Sequence, residues 1–422
     1  MIQSTGGWVL AFTFPGQGSQ RPGMGAPWKD HPSFELVETA SQVSGRDVAK
    51  LLLEADAETL KQTDNAQMST FVLSLVVLDA AERIGLEPAA CAGHSLGEYT
   101  ALVASGALDY EDGLRLVAER GEAMQDAAEG APGTMAAVLG LDDDGVESAC
   151  GMSEGEVWVA NYNAPGQVVI AGTAEAVAEA GQIAKSMGAK KVLPIPVGGA
   201  FHTPLMNPAR DRLRKAIATA RFRSPEPGVV ANVDGRLHES EDDWPRLLSA
   251  QLCSPVRWRQ TLDTLLECGA QTFLELGPGG VLTGLARRVL PSPDAISVPV
   301  ATPADLDKLI DYLSGRSADQ QAAIDHRVGE RYHMSERLVV APTTGLFDPD
   351  ASVAALVPGA SARAVAAPPV EMEVGGLIGH VGGAEVRSAF AGSIVGVLVL
   401  PGERVTAGQP VAWLRTSTQE GL

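Results

Sequence analysis

Between residue 8 and about residue 315, short apolar runs alternate with longer helical stretches, and this alternation limits the fold more than any other feature. "WVLAFTF" (8–14) reads as a strand closed by a Pro-Gly turn. "TFVLSLVVLDAAERIG" (70–85) is apolar nearly all round, so it reads as a deeply buried helix. "PAACAGH" then gives a strand and "GEYTALVASG" the helix after it. Such a series predicts an α/β domain with a mostly parallel sheet. Residues 133 to 196 have a different rhythm of strand, helix, two strands, helix and strand, with Thr173 placed to cap the second helix. That order predicts a ferredoxin-like insert. The expected organisation is an α/β core over 1–128 and 198–315, interrupted by an insert over 129–197.

Charge and glutamine dominate 316–334, which reads as a linker helix, and 335–422 is a distinct tail rich in Val, Ala and Gly. The tail contains an internal repeat. "RLVVAPTTGLF" (337–347) aligns with "AEVRSAFAGSI" (384–394), glycine to glycine at Gly345 and Gly392, and "GGLIGHV" (375–381) aligns loosely with "GQPVAWL" (408–414). Two half-repeats of strand–turn–strand predict a small all-β barrel-sandwich, with 351–373 as a loop that lengthens the first half.

Composition excludes several classes. A formal charge of −20 argues against nucleic acid or an anionic membrane as partner. No run approaches the apolar length of a membrane span, and no secretory signal is visible, so the expectation is a cytoplasmic protein. Cys91, Cys150, Cys253 and Cys268 lie far apart without metal-ligand spacing and read as reduced thiols.

Within the core, "GHSLG" (93–97) places Ser95 between a strand and a helix. A serine on such a turn is exposed to a substrate, and the Leu96 amide at the helix start is aimed where an oxyanion would form. A side chain at either flanking glycine would collide across the turn. A nucleophilic serine needs a base. Of seven histidines, His202 in "PVGGAFHTPLM" is placed best, just after a strand end where loops of a parallel sheet converge. His31 and His238 lie in polar surroundings, His326 and His333 in the linker, and His380 in the tail. His94 is adjacent, but on an extended strand its ring points away from Ser95. The Gly-rich loop after the first strand carries Gln17 at its tip. It is no dinucleotide fingerprint, because that pattern needs glycine where Arg21 stands. Backbone amide donation is the more economical reading of the loop.

Taken together, "FPGQGSQ" (14–20), "GHSLGEY" (93–99), "VAERGEAMQ" (117–125), "NYNAPGQVVIAG" (161–172), "GAFHTPLM" (199–206), "QLCSPVRW" (251–258) and "ELGPGGVLTGL" (275–285) resemble, in order, the malonyl-CoA:acyl carrier protein transacylase family. The resemblance implies a hydrolase-like parallel-sheet core and a malonyl-serine intermediate passed on to a carrier's phosphopantetheine thiol, for fatty acid or polyketide synthesis. It implies Ser95 as nucleophile, His202 as base and later acid, and the amides of Gln17 and Leu96 as the oxyanion hole. Gln251 would orient the histidine through its backbone carbonyl, with no third acid. Arg120 would hold the malonyl carboxylate with its two-pronged guanidinium. Phe201 would accompany a malonyl rather than a branched unit, and Asn163 and Gln67 join the substrate-binding set. No metal or bound cofactor is implied; malonyl-CoA is substrate and phosphopantetheine belongs to the partner.

Carriers of this family are acidic, and "ARDRLRKAIATARFR" (209–223) offers Arg210, Arg212, Arg214, Lys215, Arg221 and Arg223 as a docking patch. The tail resembles the biotinyl/lipoyl carrier fold. The hairpin that bears the modified lysine in that fold reads "HVGGAEVRS" here, and no lysine follows Lys308, so docking of another protein or oligomerisation is the expected role. Two other readings remain at this stage: a serine acyl-thioester hydrolase, and a non-catalytic assembly subunit.

Overall fold

The structure is a computed structural model that describes residues 9–291, 295–313, 333–353, 356, 370–388 and 391–418. The expected linker therefore lies outside the described residues apart from 333 and 334, as does most of the loop over 351–373. The chain divides into two compact units, Met1–Glu82 with Leu86–Leu309, and Arg83–Gly85 with Ile310–Leu422. Among the described residues no helix is long and apolar enough to cross a membrane.

The first unit is built on strands β1 (Leu10–Phe14), β2 (Ala90–Gly93), β7 (Val229–Val230), β8 (Leu237–His238), β9 (Thr272–Leu276) and β10 (Ile296–Val300), in the sheet order β10-β9-β1-β2-β7-β8. All neighbours run parallel except the short edge strand β8. Burial on both faces explains why β1 and β2 read as near-continuous apolar runs rather than alternating ones. Helix α1 (Thr63–Arg83) is buried at every position from Asn65 to Leu78, as its all-round apolar pattern requires. Helices α2 (Gly97–Ala104) and α3 (Tyr110–Gly130) follow β2.

The interruption carries β3 (Thr134–Leu139), α4 (Asp143–Met152), β4 (Val157–Ala164), β5 (Gln167–Gly172), α5 (Ala174–Ser186) and β6 (Lys191–Ile195). Its antiparallel sheet has the order β4-β5-β3-β6. Its helices bury Val146, Val177 and Ala180 in one apolar cluster with Val138, Val168 and Ile170 of the strands. Thr173 caps α5 by accepting from the Ala176 amide. The chain then returns to the main sheet through α6 (Asn207–Ile217), α7 (Trp244–Gln251), α8 (Trp258–Glu267) and α9 (Val281–Ala286). Glu275, fully buried on β9, caps α9 by accepting from the amides of Gly280, Leu282 and Thr283.

The second unit holds β11 (His333–Val340), β12 (Gly345–Pro349), β13 (Val370–Met372), β14 (Leu377–Val381), β15 (Ala384–Arg387), β16 (Gly392–Val397), β17 (Arg404–Val405) and β18 (Pro410–Thr418). They form two four-stranded antiparallel sheets, β11-β18-β16-β13 and β15-β14-β12-β17. The repeat pairs β11 with β15, β12 with β16 and β14 with β18, and those exchanges, with β13 for β17, turn one sheet order into the other. Gly345 and Gly392 open the matched strands β12 and β16. Phe347, Ile378, Val386, Ile394, Val405 and Leu414 from both sheets close over one core.

Candidate active site

Strand β2 stops at Gly93 because the chain must reverse within four residues to start α2. A Cβ on Gly93 would lie 1.8 Å from the Gly97 carbonyl oxygen, and one on Gly97 would lie 2.1 Å from that of Phe14. Glycine is therefore compulsory at both places. Ser95 between them has φ 54°, and His202 has φ 62°; among the described residues these are the non-glycine positions with positive φ. Each such residue costs about 1–3 kcal/mol unless its surroundings over-determine it. They do so here. The Ser95 N–H donates to Asn232 Oδ1 at 2.7 Å, and its carbonyl accepts from Gln251 Nε2 at 2.8 Å.

Ser95 Oγ lies 2.7 Å from His202 Nε2. The other ring nitrogen, Nδ1, is 3.0 Å from the Gln251 backbone carbonyl. A carbonyl only accepts, so the proton sits on Nδ1 and Nε2 is left to accept from the serine hydroxyl. Burial, reinforced by the Arg120 charge, pushes His202 down from its ordinary 6.5 to about 3. The ring is a neutral acceptor near neutral pH.

Arg120, on α3, is 1 % exposed. Its Nη1 donates to Gln67 Oε1 at 2.7 Å, and its Nη2 donates to Ser95 Oγ at 3.0 Å and Gln251 Oε1 at 3.1 Å. The guanidinium carbon lies 5.4 Å from the centroid of the Tyr99 ring. Among the described residues, no carboxylate is within ion-pairing distance of it, and Nε has no hydrogen-bond partner. A buried cation held by neutral amides, a hydroxyl and an aromatic ring is expensive without a counter-anion. It is complete once a carboxylate arrives.

Behind this layer sits Glu98, fully buried, whose Oε1 accepts from the Asn232 amide at 2.7 Å and whose Oε2 accepts from Gln251 Nε2 at 2.6 Å. Asn232 Nδ2 closes the ring by donating to the Gly93 carbonyl at 2.7 Å. Burial pushes the Glu98 carboxyl up to about 7, against the pull of these donors and of Arg120. Sequence reading assigned no role to Glu98 or Asn232. Glu98 lies inside the "GHSLGEY" motif, and Asn232 follows the short strand β7 at the carboxyl end of the sheet, where polar residues of a parallel fold gather.

The other expected residues fall around this centre. Gly16 packs so close to the His94 carbonyl that a Cβ would lie 2.5 Å from it, which brings the following Gln17 alongside the serine turn. Leu96 is the cap residue of α2. Asn163 Oδ1 meets His94 Nε2 at 2.9 Å, and the His94 ring packs on Trp258. Phe201 is buried, its ring folded against Gly199. A cavity of about 460 Å³ opens on His202 and is lined by Trp158, Tyr162, Pro204, Cys253 and Pro255 among others.

The basic helix needs a correction. Arg212 is bound by Glu119, Glu122 and Asp126 of α3, Arg210 pairs with Asp211, and Arg223 pairs with Asp109. Their charges are neutralised within the chain, that of Arg212 because α6 packs beside the acidic face of α3. Among the described residues, Arg214, Lys215 and Arg221 are exposed without an ion pair.

The acyl transferase domain family matches residues 11–313. The malonyl CoA-acyl carrier protein transacylase of Escherichia coli (strain K12) is 41% identical over 307 residues, 71% of this chain and 99% of that protein. The crystal structure of the acyl-carrier-protein S-malonyltransferase from Burkholderia pseudomallei 1710b matches with a TM-score of 0.69 at 40% identity, covering 72% of this chain and 99% of that one. A type II PKS acyl-carrier protein in complex with its malonyl-transacylase supplies a further match, with a TM-score of 0.69 at 37% identity over 72% of this chain and 99% of that one.

Proposed function

Because the chain belongs to the malonyl-CoA–acyl carrier protein transacylase family, we propose that its serine centre carries malonyl from coenzyme A to an acyl carrier protein by a two-stage exchange. The observation that carries this reading is Arg120, a buried guanidinium lacking a carboxylate partner and touching the Ser95 hydroxyl. It is the part of the site that a malonyl group, and not an acetyl group, completes.

In the first stage Ser95 Oγ attacks the thioester carbonyl as its proton passes to His202 Nε2. The oxygen that gains charge is met by the amides of Gln17 and Leu96, and the far carboxylate by Arg120. Collapse of the tetrahedral adduct breaks the C–S bond, and coenzyme A leaves with the proton from His202. In the second stage the carrier's phosphopantetheine thiol gives its proton to His202 and attacks the ester, and as the C–Oγ bond breaks that proton passes to Ser95 Oγ, restoring the serine. A malonyl carboxylate on Arg120 cancels one of the causes that keep His202 so weakly basic, so the base strengthens when the correct acyl group is seated. The Gln251 carbonyl supports the imidazolium without a third acid. Phe201, Gln67 and Asn163 shape the acyl end, and the cavity beside His202 admits the pantetheine arm. These groups account for every proton and bond in the sequence, so the reading requires no metal or bound cofactor.

Mass spectrometry of the enzyme mixed with malonyl-CoA tests this: one malonyl group should appear on the wild type and none on Ser95→Ala. Addition of holo carrier should clear it as malonyl-carrier, whereas release as free malonate would favour a hydrolase. Carrier docking falls to Arg214 and Lys215 in this reading. Reversing both charges should raise the KM for carrier and spare self-acylation.

The βαββαβ order of residues 134–195 supports a ferredoxin-like insert, and the exchange symmetry of the two tail sheets supports a biotinyl/lipoyl-like sandwich. The tip that would bear the lysine is Gly382-Gly383, so the tail acts as a docking or oligomerising module in the cytoplasm. An intact mass carrying a biotin or lipoyl adduct would overturn that assignment.

A further inference from the structure

We propose that Glu98 is a positioning residue for acyl-group selection, its carboxylate fixing which way the Gln251 amide faces and thereby where the Arg120 guanidinium is held. The proposal rests on the reading of Arg120 as the malonyl clamp.

An amide side chain has a donating and an accepting end. Gln251 Nε2 has two hydrogens, and both are used, one toward Glu98 Oε2 at 2.6 Å and one toward the Ser95 carbonyl at 2.8 Å. That leaves Oε1 to face Arg120 Nη2 at 3.1 Å. The order follows from the partners of Glu98: Oε1 accepts from the Asn232 N–H at 2.7 Å, a group that can only donate, which leaves Oε2 to accept from Gln251 Nε2. Put an amide at position 98 and the pattern cannot be completed. If the new carbonyl oxygen takes the Asn232 N–H, its NH2 meets the NH2 of Gln251. If Gln251 then turns over, its NH2 faces the guanidinium and the Ser95 carbonyl loses its donor. Glu98 also supplies the negative charge nearest in the network to a buried cation that has no ion pair, one amide away from it. A substrate without a carboxylate makes little demand on where Arg120 points, so it senses little of this.

The test compares Ser95 acylation of the full-length enzyme from malonyl-CoA and from acetyl-CoA in wild type, Glu98→Gln and Glu98→Asp. Glu98→Gln should lose about 100-fold in kcat/KM with malonyl-CoA and about 5-fold or less with acetyl-CoA, the scale set by one mispaired buried donor. Glu98→Asp keeps the charge and should keep the malonyl-to-acetyl ratio within about 3-fold of wild type, whatever its absolute rate. An equal loss for both thioesters in Glu98→Gln, or no loss, overturns the proposal. If Glu98→Gln does not fold, Glu98→Asp decides: a kept ratio supports the assignment and a collapsed ratio refutes it. Wild type that takes no malonyl group at all would instead sink the functional reading, before Glu98 is in question.

Discussion

The reversal at Ser95 and the hairpin at Gly382-Gly383 are both tight turns built with paired glycines, and they use those glycines in opposite ways. At Ser95 the glycines let three stretches of backbone touch: β2 meets the start of α2, and α2 meets the end of β1. The strain falls on the one residue with chemistry. In the hairpin, Gly382 and Gly383 take φ 56° and 86° between the paired residues Val381 and Ala384, a plain two-residue reversal. A Cβ on Gly383 would meet nothing within 4 Å. One turn is held from all sides by Asn232, Gln251, Glu98 and Arg120, while the other is packed against Gly345 at Gly382 and open at Gly383. Glycine marks a functional strain only where packing would forbid any other residue.

The sharpest way to break this contrast is alanine at Gly93. With a Cβ 1.8 Å from backbone, Gly93→Ala should leave little folded enzyme and no malonyl labelling, read by thermal unfolding and intact mass. Ser95→Ala and His202→Ala should each keep the fold but lower transfer by about 10³-fold or more, and the double variant should be no worse than the serine variant alone, since the pair acts as a unit. Arg120→Gln comes next: the malonyl-to-acetyl ratio of acylation rates should fall about 100-fold, most of it from the malonyl side.

A pH profile sharpens the comparison further. A base works unprotonated, and His202 is held down from 6.5 to about 3. With acetyl-CoA, which bypasses the carboxylate clamp, acylation should therefore not fall from pH 7 to about pH 5 on this histidine's account. In Arg120→Gln the second-largest lowering cause is gone, so the acid limb should move upward, yet stay below the ordinary histidine value because burial, the largest, remains. The smallest effect belongs to the hairpin. Gly383→Ala should cost about 1 kcal/mol, seen as a shift of a few degrees in Tm, with acylation unchanged.

Much of the centre was legible along the chain, because its local part is written in neighbours. The spacing of Gly93, Ser95 and Gly97 announces a turn that exposes a hydroxyl, and the repeat anchored on Gly345 and Gly392 announces two exchangeable sheets. The family motifs also single out Arg120, His202 and Gln251, which the structure gathers at Ser95. Asn232 escaped, since the strand before it has only two residues and its work is done on a partner 137 positions away. Glu98 escaped because a glutamate at the start of a helix ordinarily faces water and favours the helix dipole. Arg212 was misread for the opposite reason: its neighbours in sequence are cationic, and the carboxylates that claim it lie on another helix.

What the sequence determined by itself was the set of backbone shapes: where strands end, where only glycine fits, and which strands of the tail can stand in for one another. These follow from sterics between residues close in the chain. Tertiary structure alone decided the charges and protons: that His202 stays neutral, that Arg120 is buried without its anion, and that Arg212 is already paired. Such properties depend on which groups exclude water from one another, and that is settled only when segments more than a hundred residues apart are packed together.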